Sequence, residues 1–563
     1  RRMNNISLRK TSNYFWLVLI ILCTACEEEF LDTKIDTFKT PEAAASDRET
    51  LWTFGNAFYA PMTYGFSVID NNLFAAASDE AQQTSYSANV NYFNNGTINE
   101  NINPISYLYK NYYEGIRAAN FYLDYSEDGK ELLSLNRDTI TDAVNYQRDL
   151  KFLKWYRAEA HVARAYYYTE LLKMYGGVPV VDLTFGEENE FIARTPYDEV
   201  VDYIVQEIDS YKDSLQLNWN STNFSNQDGR FSLGAALAIK SRALLYAASP
   251  LNNPENDIEK WKKAAEAAND IINSDILNYS LDQGGYYNYF TGNTPLNSPE
   301  TIYAIRRDPN NLVEANNYPI ATPGGASGIT PTQNLVSSYE YTAEPDPADP
   351  YKNRDPRLKA SIVTNGSEWN GRVIDQSDGG IDDMDQPNTS RTGYYLKKFL
   401  TDNVNLVQGS TVQNQWVEYR YAEILLNYAE AMNEAYGPDV VPAGYALSAR
   451  QALEMIRDRA SAQLPDITAV SVEAFRDVVK HERRIELAFE GHRYWDLLRW
   501  KDAETVLNQP VEGVKVSKTG SGNYVYQVID VADRRFNERN YRLPFSRAEI
   551  VNSGGTIIQN DGY

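Results

Sequence analysis

Two glutamates four residues apart, Glu486 and Glu490, stand in ERRIELAFEGHRYWDLLRW (482–500), and that spacing puts both carboxylates on one face of a helix. Two carboxyl groups roughly 5 to 9 Å apart are what glycoside hydrolysis needs, one as acid and the other as nucleophile or base. Around them, however, stand Arg483, Arg484, Arg493 and Arg499. Guanidinium neighbours depress a carboxyl pKa, whereas a general acid needs it raised. His481 followed by Glu482 opens like a zinc-protease helix, but position 485 is Ile where the second His would stand. With three His and two Cys in the whole chain, no catalytic metal centre is expected. The stretch reads instead as packing. Ile485, Ala488, Phe489, His492, Trp495 and Leu498 recur at helical spacing as one buried face of a single helix. Arg483 with Glu486, Glu490 with Arg493, and Asp496 with Arg499 can pair along it. Gly491 in mid-helix implies a neighbouring backbone passing close. Packing is the expectation, and no catalytic residue is assigned.

The elements that must hold such a stretch are mainly helical. RAEAHVARAYYYTELLKMYGG (157–177) carries small residues first and bulky apolar ones after, then stops at a Gly pair. TPYDEVVDYIVQEIDSY (195–211) starts a second helix, with Thr195 as cap and Pro196 in the first turn. The same alternation returns at 232–254 with 261–274, and at 419–439 with 443–460. These pairs resemble tetratricopeptide units, which bury their apolar faces only by stacking, and about four pairs are expected. The fold class is therefore mainly α, a tetratricopeptide-like scaffold joined to an irregular, loop-rich lobe with short strands. The boundaries are N-terminal repeats at 45–276 with a loop insertion near 78–104, the loop-rich lobe at 277–415, and C-terminal repeats with a closing segment at 416–563. Long stretches rich in Gly, Pro, Asn and Tyr inside a compact protein are usually functional.

Composition narrows the partners. The formal charge of −24 argues against nucleic acid, because phosphate binding needs a basic face. At the start, Arg9 and Lys10 precede the apolar run YFWLVLIIL (14–22) and then small residues, the pattern of a secretory signal over 1–25. Nine apolar residues cannot span a bilayer. The run ends in CTAC, so Cys26 resembles the acylated Cys of a bacterial lipobox, although Cys23 stands where that box usually has Leu. Residues 26–44 are then a lipidated tether, and the membrane is reached through the acyl chains alone.

A family resemblance covers most of the chain. RAEAHVARAYYYTELLKMYGGVPVV, KSRALLYAASPLNN, NRDPRL, YRYAEILLNYAEAMNE, ERRIELAFEGHRYWDLLRW and RLPFSRAEI resemble, in order, the signature blocks of the SusD/RagB family of outer-membrane nutrient-binding lipoproteins of the Bacteroidetes. The last block reads LPFS where the family usually has Pro-Ile-Pro. The resemblance implies a cell-surface protein without catalysis that captures oligosaccharides and delivers them to a SusC-like TonB-dependent barrel. The EEEF after Cys26 is similar to the acidic sequence that sends such lipoproteins to the surface. A peptide-binding member of the same architecture is the alternative, and a helical glycoside hydrolase a more distant one.

A glycan site needs an aromatic platform flanked by polar acceptors. Tyr86, Tyr92, Phe93 and Asn94 supply that mix in the first irregular patch, and Tyr286, Tyr287, Tyr289, Tyr318 and Trp369 in the second. Asp79 lies in an SDEA block resembling one that borders the family's site. DQSDGGIDDMDQ (375–386) could gather Ca²⁺ through Asp378, Asp382, Asp383 and Asp385. It departs from EF-hand spacing and lacks the closing Glu, so a solvated acidic turn is preferred and no cofactor is expected.

Overall fold

The computed structural model describes residues 48–182, 191–219 and 227–563. The signal segment, Cys26 and the tether expected from the sequence lie outside the described residues. Helix α1 (Arg48–Ala57) packs on α2 (Tyr107–Tyr125), and α2 packs on the long α3 (Ala143–Tyr175). Three helical hairpins follow the alternation of small and bulky residues. They are α3 with α4 (Tyr197–Tyr211), α5 (Leu233–Ala248) with α6 (Ile258–Ile272), and α7 (Tyr421–Tyr436) with α8 (Ala449–Arg457). The hairpins stack through α3 and α4 on α5 and through α6 on α7, so each buries its apolar face against a neighbour. Ala158, Ala160, Ala163 and Ala165 are all sealed inside. With neighbours on several sides, α3 is apolar around much of its C-terminal half, as a central helix must be.

Several helix ends follow local chemistry. Ser232 caps α5, Asp257 caps α6, and Ser448 with Gln451 forms a reciprocal capping box on α8. Gly176 (φ 76°) and Gly437 (φ 89°) end α3 and α7 in conformations open to glycine. Thr195, expected to cap α4, does not: its backbone pairs with Val178 and Pro196 occupies the cap position without a side-chain bond. At Gly115 the α2–α3 contact is so close that an added Cβ would lie 2.2 Å from the Tyr167 ring. Gly115→Ala is expected to cost about 1–3 kcal/mol by overpacking, despite alanine's better helix propensity. A lowered denaturation midpoint checks it.

Residues 277–415 contain short strands and, among the described residues, helices of at most six residues. Among the described residues the named strands form two-stranded antiparallel pairs. β1 (Ala81–Gln83) pairs with β3 (Ile329–Pro331), and β2 (Thr301–Ile305) pairs with β8 (Trp416–Arg420) across two irregularities. β4 (Ile362–Val363) pairs with β7 (Tyr395–Leu396), and β5 (Glu368–Trp369) with β6 (Arg372–Val373). A longer hairpin joins β9 (Val511–Lys518) to β10 (Tyr524–Ala532). This region does not have a core of its own: its buried residues belong to the same cluster as those of the helices.

The stretch 482–500 is two helices, not one. α9 (Val472–Glu486) stops, Phe489 (φ 67°) and Gly491 (φ 79°) turn the chain, and α10 (Arg493–Arg499) follows. Gly491 is needed for its positive φ, since the nearest atoms to an added Cβ are those of the Trp416 ring at 3.7 Å, not a backbone. The turn also re-pairs the charges. Asp496 keeps Arg499 at 2.8 Å, but Arg483 crosses to Asp496 at 2.7 Å. Arg493 reaches Asp79, and Glu490 turns to Lys398 and Arg420.

Candidate ligand site

The β1–β3 pair fixes the base of the first irregular patch. β1 leads into Thr84, whose backbone N–H donates to Gly328 O and whose hydroxyl donates to Ser327 O. The chain then emerges as a loop held by its own polar residues. Asn91 Nδ2 donates to Tyr86 O at 2.9 Å, and Asn89 Nδ2 donates to Asp70 Oδ1 at 2.6 Å. At the loop's crest Tyr86 is 80% exposed, far more than a packing tyrosine, and the Arg391 guanidinium sits 3.9 Å from its ring centroid. Arg391 Nη1 also approaches Gln83 O at 3.4 Å. Burial lowers the Arg391 pKa, with the Tyr86 contact opposing it. Stacking a cation on one ring face fixes the ring and leaves the other face for a flat apolar ligand surface. Tyr92, on the same loop, is 39% exposed.

The other candidates divide sharply. Phe93 is buried edge-on against Phe74 and Tyr494, at 5.0 and 5.7 Å between ring centroids. Asn94 is buried, and its carbonyl accepts from Arg535 N. Tyr286 and Tyr289 are core groups: Tyr286 donates to Glu486 O and accepts from Lys398, while Tyr289 bonds Thr301 Oγ1. Tyr318 is buried with its hydroxyl donating to Thr401 O. Trp369 is buried edge-on between Tyr287 and Tyr318. Tyr287 is half-buried and donates to Leu400 O. These six side chains other than Tyr287 are therefore corrected to packing roles, because irregular backbone needs large flat side chains to fill the gaps that regular elements would close. The structure brings Arg391, from outside the expected set, onto the Tyr86 ring and leaves Tyr92 exposed on the same loop. Arg391 carried no local signal beyond being a basic residue after an acidic run.

Asp79 is also inside. Burial alone would raise its carboxyl pKa, but Arg484 at 2.6 Å and Arg493 at 2.8 Å outweigh it and hold it well below the usual range. Its role is to anchor the root of the loop. The neighbouring Glu80 is buried with no donor of good geometry on either oxygen, and burial, reinforced by Asp79, pushes it up to about 8.

The charges of 482–500 form a sealed network. Arg420 bonds Glu300, Glu486 and Glu490, each at 2.7 Å. Arg357 bonds Asp355, Glu482 and Glu486, and Arg459 joins Glu300 and Glu486. Burial would raise Glu486, yet Arg459, Arg420 and Arg357 together hold it far below the ordinary carboxylate value. Such a group donates no proton near neutral pH. The acidic turn is likewise engaged in protein contacts. Asp382 forms a two-pronged pair with Arg372 at 2.6 Å, Asp383 accepts from the N–H groups of Gly379 and Asp385, and Asp378 and Asp385 face Lys515 of β9.

Comparison with known proteins agrees with this architecture. Residues 277–563 match the model of the SusD family, and residues 29–245 match a SusD-like model described as starch-binding and associating with the outer membrane. SusD-like protein P2 of Formosa agariphila is 23% identical over 72% of this chain and 74% of its own length. SusD-like protein P25 of the same organism is 24% identical over 86% and 89%. Among solved structures, a SusD-like protein from Bacteroides fragilis NCTC 9343 is 25% identical and superposes with a TM-score of 0.74 over 93% of this chain and 98% of its own. A second from that organism, titled a SusD-like carbohydrate-binding protein, gives 0.73 at 22% identity over 91% and 99%. The chain belongs to the SusD family.

Proposed function

We propose that this protein binds oligosaccharides at the Tyr86 loop, catalyses nothing, and passes its cargo to a SusC-like TonB-dependent barrel while held at the cell surface by acylated Cys26. The observation that carries the binding step is Tyr86 itself: an exposed ring, backed by Arg391, on a loop stitched by Asn89 and Asn91. A sugar ring offers an apolar face to such a platform and hydroxyls to the guanidinium and amides around it. Preorganisation of the loop lowers the entropy lost on binding. The carboxylates best spaced for hydrolysis are locked to guanidinium groups inside the protein, which favours binding over bond cleavage.

Native affinity gels containing starch, xylan, pectin, laminarin or chondroitin sulfate test the reading, with a tryptic peptide mixture as competitor. Tyr86→Ala is expected to weaken retention by about tenfold, the loss of one ring contact, at an unchanged melting temperature. Arg391→Ala acts in the same direction. Retention equal to that of the wild type would remove Tyr86 from the site, and binding of peptides alone would overturn the glycan assignment. Co-purification of a large barrel from solubilised membranes tests the transporter pairing.

A further inference from the structure

A second groove lies under the β9–β10 hairpin, with a volume of about 510 Å³, within the range of small-ligand clefts. One wall comes from β10. Tyr524 and Tyr526 are two residues apart on the strand and so face the same side, while Val525 between them points to solvent. Tyr526 is fixed from two directions, edge-on to Tyr351 at 5.4 Å and through its hydroxyl, which accepts from Asn365 Nδ2 at 3.4 Å. The opposite wall is the β4–β5 segment, where Thr364 and the exposed Glu368 offer acceptors.

Between the walls stands Lys397, six residues beyond Arg391. Its ammonium has no carboxylate within 4.0 Å among the described residues and lies 5.1 and 5.6 Å from the Tyr287 and Trp369 ring centroids. Burial lowers its pKa and Asp402, beyond ion-pair distance, opposes this, so in a chain where acidic residues outnumber basic ones 77 to 53 the ammonium has no carboxylate acceptor at hydrogen-bond distance. Rings that present apolar faces, an ammonium donor and carboxylate and hydroxyl acceptors within one cleft match the alternating apolar and hydroxyl surfaces of a sugar ring.

We propose that this groove is a second saccharide-binding site, separate from the Tyr86 loop, with Tyr524 and Tyr526 as its platform and Lys397 as donor to ring hydroxyls. The proposal rests on the glycan reading above. A second contact raises the retention of a long chain well beyond that of a short one, because its engagement is intramolecular once the first site is filled.

The test uses the full protein and the same five polysaccharides. Tyr524→Ala combined with Tyr526→Ala is expected to weaken gel retention of a polysaccharide that the wild type holds by about tenfold, at an unchanged melting temperature. As a measurement independent of the variant's fold, that polysaccharide should slow amide hydrogen exchange at 362–369 and 524–526, and still do so in Tyr86→Ala. Protection confined to the Tyr86 loop, with wild-type retention by the double variant, would overturn the second site and leave the first standing. Protection of the groove by the tryptic peptides alone would overturn its saccharide assignment. Failure of the wild type to hold any of the five would overturn both.

Discussion

Glu486→Ala is expected to lower stability by about 3–5 kcal/mol, the range for removing one partner from a buried charge network. Glu486 is buried and faces three guanidinium groups, those of Arg357, Arg420 and Arg459. Its loss leaves buried positive charge short of a counterion. Arg420 retains Glu300 and Glu490, and Arg357 retains Asp355 and Glu482, which keeps the cost from running higher. At about 2–4 °C per kcal/mol for a large domain, the melting temperature should fall by many degrees. Glycan retention by the folded fraction should be unchanged, because no described contact joins Glu486 to Tyr86. A melting temperature within a degree of the wild type would mean that the network contributes nothing, and loss of a hydrolytic activity with stability intact would revive the carboxylate-pair reading.

The second large effect belongs to Glu80. Its folded-state carboxyl is raised to about 8, by burial first and Asp79 next, from an ordinary value of 4.5. Between those values the native protein holds a proton that the unfolded chain has lost, so stability falls as pH rises, by up to about 1.4 kcal/mol per unit. The loss starts above the unfolded value and is complete once pH passes the folded one. Asp79 has the opposite sign: its lowered carboxyl gives stability that is present above the unfolded value and lost only in acid. His161, His481 and His492, all lowered by burial, also oppose the Glu80 slope, adding stability as pH climbs towards 6.5. The informative quantity is therefore the difference between wild type and Glu80→Gln. The variant keeps the neutral shape and should be more stable by about 3–5 kcal/mol at pH 9, with the gap closing towards pH 5. Parallel melting curves from pH 5 to 9 would show that Glu80 is ionised throughout.

The helical scaffold could be read from the sequence because its signals are local. Ala-rich helices followed by bulky ones, stops at Gly176 and Gly437, and caps such as Ser448 depend on residues a few positions away. The failures come where distant contacts decide. Tyr286 and Tyr289 share composition and neighbourhood with a surface platform, yet Glu486, Lys398 and Thr301 take up their hydroxyls. Nothing within ten residues of either tyrosine reveals those partners. Gly491 was visible as an oddity in a helical pattern, but helical spacing alone does not separate a close contact from a reversal of φ. Arg391 reaches the Tyr86 ring because β3 and β7 meet beside β1, a juxtaposition with no trace in either segment. Tyr86 was legible as an aromatic in a polar loop, and only its exposure distinguished it from Phe93.

The anchoring of Asp79 bears on how the molecule is made. Its two guanidinium partners, Arg484 and Arg493, follow it by 405 and 414 positions, and Arg534 later still closes on the carbonyls of Ser78 and Ala81. A ribosome delivers these arginines well after the loop and the early helices. Until then the early helices can assemble, but the root of the Tyr86 loop carries a carboxylate awaiting its counterions. A nascent polypeptide therefore has much of the scaffold while the base of the Tyr86 loop stays unfastened until Arg534 has been made.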